Sequence, residues 1–158
     1  MRRRNGFSLA EVLAVLAIAA IVLAIVAPRL HGWVVHLRTR AAVNRVATDL
    51  AYTRMLAVRE GTRVRLVIEP DPTCPAPTPG AAGHRYRIVV GEGREVRSVD
   101  LRGQGGRVCL ASNRGAEVPF NSRGLLVGHN NRTMVVREGT HAADTLSLSI
   151  LGRVLRRY

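Results

Sequence analysis

From Val12 to Ala27 the chain carries no polar side chain, and no other stretch restricts its fold so tightly. The apolar run extends from Phe7 to Leu30, 24 residues. As a helix rising 1.5 Å per residue it measures ~36 Å, enough to cross a ~30 Å hydrocarbon core. Glu11 is the exception inside it. A carboxylate in a membrane helix costs roughly 2.5–3.5 kcal/mol, so Glu11 is a functional candidate that needs a compensating partner. Arg2, Arg3 and Arg4 precede the run and, by the positive-inside rule, keep the N-terminus cytoplasmic. Arg29 at its end, and Arg38 and Arg40 beyond it, weaken that argument. A secretory signal would offer Ala17-Ile18-Ala19 for cleavage, but the run is too long for a signal core and contains a glutamate. A plain signal-anchor helix explains the length and the flanking charge. It does not explain why Gly6-Phe7 stands directly before Ser8 and four residues before the lone Glu11. Pro28 removes a backbone donor and predicts a local bend.

Beyond the anchor, residues 31–61 read as an amphipathic continuation of the same helix. Val43, Val46, Ala47, Leu50 and Ala57 form one apolar stripe; Arg45, Asp49, Tyr52, Arg59 and Glu60 are expected on the other side. Gly61 suits the closing position. The period then changes to two, with strands predicted at 63–69, 84–90, 94–99, 107–110, 118–121, 124–127, 132–136 and, as the last, 146–150. Gly91-Glu92-Gly93 signals a hairpin, and Gly103 to Gly106 a further turn. The stretch from Pro70 to Gly83, with five prolines, is expected to be a loop. The fold class is therefore α+β, a long N-terminal helix on a small antiparallel β-sandwich or curled sheet of about eight short strands.

The chemistry in this sequence is sparse. Cys74 and Cys109 suggest one disulfide in an exported domain, closing a 36-residue loop; two independent thiols is the alternative. Five histidines (His31, His36, His84, His129, His141) show no metal-ligand spacing and read as surface or membrane-interface residues. No nucleophile elbow and no acid/base carboxylate pair is present, so neither an enzyme, a cofactor, a metal nor a small-molecule substrate is expected. The formal net charge is +13, and all 24 basic residues are arginine. Such a surplus favours polyanionic partners, or reflects genome composition. At the C-terminal end Arg153, Arg156 and Arg157, with Tyr158, could contact DNA phosphates as a free end; a solvated basic terminus is the alternative.

Gly6-Phe7-Ser8-Leu9-Ala10-Glu11 followed by the apolar helix resembles the class III signal of type IV pilins and type II secretion pseudopilins, matching at every motif position. The resemblance implies a leader of residues 1–6 that a prepilin peptidase removes between Gly6 and Phe7, with N-methylation of Phe7. It implies a transmembrane helix at 7–30 in the bacterial inner membrane and a periplasmic β-rich domain at 62–158. Glu11 would pair with a neighbouring subunit's N-terminal amine in assembly, and Pro28 matches a helix-loosening proline of many pilins. Phe120-Asn121-Ser122-Arg123-Gly124 and Gly152-Arg153 are similar to the globular part of GspH/FimT-type minor pseudopilins. The implied function is a minor pseudopilin of the type II secretion pseudopilus or a related type IV pilus, with other pilin subunits as partners. The alternative is a competence-type minor pilin binding DNA: some of these end in Gly-Arg-x-Arg, where this chain has Gly152-Arg153 followed, one residue later than that motif, by Arg156-Arg157.

Overall fold

The computed structural model describes residues 8–104, 107–128, 131–139 and 141–157, without the side chains of 26–31, 104, 141–143 and 157. Two compact units divide at Val34/Val35. A single helix, α1 (Leu9–Glu60), belongs to both and is continuous through Pro28. In the first unit the described side chains from Leu9 to Ile25 are exposed on every side of the helix. Among the described residues no helix is long and apolar enough to cross a membrane. The described apolar side chains stop at Ile25, whereas the apolar sequence continues to Leu30.

In the second unit α1 is buried along one stripe. Val35, Thr39, Val43, Val46, Leu50, Thr53 and Ala57, spaced by three or four, are all buried. Thr39 and Thr53 are accommodated there because each hydroxyl donates to the carbonyl four residues back, Val35 O at 3.0 Å and Asp49 O at 2.6 Å. The helix stops at Glu60, and Gly61 follows at φ 62°.

Among the described residues nine strands follow: β1 (Val64–Glu69), β2 (Ala81–Gly83), β3 (Arg85–Val90), β4 (Arg94–Asp100), β5 (Val108–Ser112), β6 (Glu117–Phe120), β7 (Arg132–Glu138), β8 (His141–Leu148) and β9 (Val154–Arg157). They form two antiparallel sheets, ordered β4-β3-β1-β6 and β2-β5-β7-β8-β9. Strict alternation sets the inward residues: Val64, Leu66 and Ile68 of β1, Tyr86 and Ile88 of β3, Met134 and Val136 of β7, Leu146 and Leu148 of β8. With the helix stripe they make one apolar core.

Several expectations need correction. Residues 124–127 are not a strand: Asn121 organises a turn there, its Oδ1 accepting from Arg123 N and Leu125 N at 3.0 Å each, and only Leu126 bridges back to Phe120. Residues 81–83, placed in the loop, pair with β5, since small side chains allow close approach. The strand expected at 146–150 begins at His141, ends at Leu148 and is not the last. The glycine turn expected from Gly103 is the end of a 3-10 turn, Leu101–Gln104, while Gly105 and Gly106 lie outside the described residues.

Candidate functional site

Ser8 begins the first candidate site by capping α1. The Glu11 backbone N–H donates to Ser8 Oγ at 3.2 Å, and Glu11 N and Val12 N donate to Ser8 O at 3.1 and 3.3 Å. Ser8-Leu9-Ala10-Glu11 thus has the spacing of a capping box, with the acidic side chain in the first turn where the helix dipole favours it. That signal was available in the sequence beside the apolar run. Leu9 is 79% exposed and Leu23 65%. The described side chains between them are likewise exposed on every side of the helix. Arg2, Arg3, Arg4, Gly6 and Phe7, including the expected cleavage and methylation positions, lie outside the described residues, as does the Pro28 side chain.

Asp49, expected on the outer side of the helix, is fully buried instead. Tyr86 Oη donates to Asp49 Oδ2 at 2.7 Å, Arg45 Nε donates to the same oxygen at 3.2 Å, and Arg97 donates to Oδ1. Arg97 also lies over the Tyr52 ring, 4.7 Å from its centroid. Burial, reinforced by the bond to Asp49, pushes the Tyr86 phenol far up, so it remains a donor. The partners come from β3 and β4, far along the chain, so helical periodicity could not reveal them.

Cys74 and Cys109 are joined by a disulfide. With Ala82 and Ala111 they form a small second core, on the face of the β5 sheet opposite to Val108 and Leu110. The proline-rich segment is thereby pinned across that face. His84, expected at the surface, is buried against this bond: its Nδ1 donates to Val108 O at 2.8 Å, and its Nε2 is 3.1 Å from Thr73 Oγ1 and 3.5 Å from Cys74 Sγ. His36 is half-buried, His31 and His141 have no described side chain, and His129 lies outside the described residues.

Two of the three C-terminal arginines, Arg156 and Arg157, lie in a paired strand. β9 pairs with β8, and Arg156, opposite the buried Leu146, donates to Asn44 of α1. Arg153 is exposed before the strand; the Arg157 side chain and Tyr158 are not described. Sequence reasoning also missed Arg54. Its Nε donates to Gly124 O at 3.1 Å, and it lies against both Gly124 and Gly152. Those glycines take φ 72° and 71°, and a Cβ on Gly152 would meet Gly124 O at 2.7 Å. The two short stretches that carried the second resemblance therefore close on one helix side chain.

A capped helix with an uncovered apolar half, followed by a two-sheet head packed on its second half, is the architecture of a pilin-like subunit. The family model for the prokaryotic N-terminal methylation motif matches residues 1–27, and the model for type II transport protein GspH matches residues 42–152. The chain belongs to the GspH family. Type II secretion system protein H of Xanthomonas campestris pv. campestris is 38% identical over 70 residues, 44% of this chain. That match spans 41% of the relative's length. The fold is similar to the type IV minor pilin FimU of Pseudomonas aeruginosa in two crystal forms. Their TM-scores are 0.58 and 0.60 at 21% and 20% identity, covering 75% of this chain and 92% and 87% of theirs. These families are structural, and the chain is a GspH/FimT-type pseudopilin, not an enzyme.

Proposed function

We propose that this chain is a minor subunit of a type II secretion pseudopilus or a related type IV pilus. A prepilin peptidase removes residues 1–6, Phe7 becomes the methylated N-terminus, and residues 7–30 anchor the subunit in the inner membrane. Residues 31–61 carry the helix into a periplasmic head formed by 62–158. The observation that carries this reading is the methylation motif followed directly by a capped helix whose described apolar side chains are uncovered and which holds Glu11 in its first turn. In low dielectric a carboxylate needs a cation, and a neighbour's N-terminal amine supplies one without a second charged side chain in the apolar segment. Other pilin subunits are accordingly the partners.

The test is twofold. Replacing Gly6 should leave the leader uncut, read as the mass of the mature chain. Glu11→Ala should permit cleavage and membrane insertion but lower incorporation into filaments at least tenfold. Normal incorporation of Glu11→Ala would sink the assembly role, and an uncut wild-type chain would leave an ordinary anchored domain. The alternative, DNA capture by the tail, has less support: β9 is paired, and Arg156 turns back to α1.

A further inference from the structure

Beside the disulfide a cavity of about 410 Å³ is lined by Thr73, His84, Arg102, Arg107, Cys109 and Arg137 among others. The register explains how its cations converge. Cys109 of β5 lies directly opposite Arg137 of β7, on the face away from the main core, and Arg107 precedes Cys109 by two residues. Arg102 arrives from the 3-10 turn. Three guanidinium groups thus line one concavity, and no carboxylate is among its lining residues. The nearby acids are engaged by residues that line it. Asp71 accepts from Thr73 N and Oγ1, and Asp100 accepts from Arg102 Nε and NH2 and from Arg85. The bonds from Arg102 hold the Asp100 carboxyl well below the usual carboxylate range. The cavity between α1 and β4 differs, since Asp49 and Asp100 line it beside its arginines, and the one near Arg156 includes Asp144.

The arginines retain donors. Arg107 is exposed and makes no hydrogen bond or ion pair among the described residues. Arg137 donates one terminal nitrogen to Pro75 O at 2.7 Å, which fixes its side chain, while its Nε is buried without a partner among the described residues. Arg65 and Arg132 also keep an unpartnered Nε, but neither lines this cavity. Planar guanidinium forks converging on a concavity match the tetrahedral array of acceptors on a phosphate group.

We propose that this pocket binds a phosphate-type oxyanion, as free phosphate or as the terminal group of a phosphate monoester, between Arg102, Arg107 and Arg137. The site is independent of Glu11 and of the C-terminal arginines. The test uses the full chain in a zwitterionic detergent at constant ionic strength, following the arginine Nε–H signals by NMR. One arm titrates inorganic phosphate against chloride; a second titrates glycerol phosphate. Saturable shifts of the Arg107 and Arg137 signals are expected, weakened tenfold or more in Arg107→Gln and unchanged in Arg63→Gln, an exposed arginine outside the cavity. Arg107 bears no described contact, so its replacement should leave the fold intact, checked by unchanged amide shifts in the core. Saturation in one arm only identifies the source. Shifts that rise linearly without saturating in both arms, or equal losses in the Arg63 and Arg107 variants, overturn the proposal.

Discussion

Asp49 is a charge taken fully out of water and compensated by three donors from three elements. Such a group adds little over a well-packed apolar residue, yet removing one partner leaves the others desolvated and unpaired. Asp49→Ala should therefore cost about 3–5 kcal/mol, because the Tyr86 hydroxyl and the Arg97 guanidinium lose their acceptor. Tyr86→Phe removes one bond to a charged acceptor and should cost roughly 1.5–3 kcal/mol. Arg45→Ala should cost least, its side chain being over half exposed and its ion pair screened. Urea unfolding of the detergent-solubilised chain gives the order; equal costs for all three would mean that Asp49 does not hold the cluster. Asp49 also shows where reading residues one by one stops. At the helical spacing it belongs beside Arg45, as a solvated pair would. Its real neighbours are set by which strands pack on that turn of the helix.

At the scale of elements, the loop containing Cys74 depends on its disulfide. Few apolar side chains hold it down, the second core consisting of the two cysteines and two alanines. Closing a loop of this length restricts the unfolded chain and contributes ~3–4 kcal/mol. Replacing both cysteines with serine should lower unfolding stability by about that amount and deprotect the amides of residues 71–82 first in hydrogen exchange. Uniform loss of protection would show that the loop and the main core are one cooperative unit. Much of this level was legible. The change from period 3.6 to period 2 near Thr62, the glycine hairpin at 91–93 and the inward residues of β1 and β7 follow from patterning alone. The short elements were not: β2 has three residues and β9 four, too few for any periodicity, and both exist through their partners β5 and β8. Arg54 was equally invisible, since its role depends on two glycine turns from distant parts of the chain meeting at one place.

For the whole molecule the dominant quantity is the net charge of +13. The acids already counted against it are paired locally, Glu117 with Arg65, Asp100 with Arg85 and Arg102, Glu95 with Arg87, and Glu60 with Arg94. The surplus should bind duplex DNA weakly and with a steep salt dependence, as any such surface does. Because Arg156 is directed at Asn44, changing Arg153 and Arg156 together to alanine should alter DNA affinity at physiological salt less than twofold. A tenfold loss would restore the DNA-capture reading. The N-terminal motif was readable because its chemistry is local, a cap, an acid and an apolar run. The pairing of the tail was not readable, because charge shows in a sequence and strand pairing does not. That pairing has a practical side. With β9 on its edge, the second sheet presents an arginine-bearing border, of the kind that discourages strangers from joining a ladder. A chain shortened before Val154 would bring β8 to the border, with the backs of Leu146 and Leu148 left open. Its most available partner would be the same strand in a second molecule, so truncation there is a recipe for sticky dimers rather than a trimmed monomer.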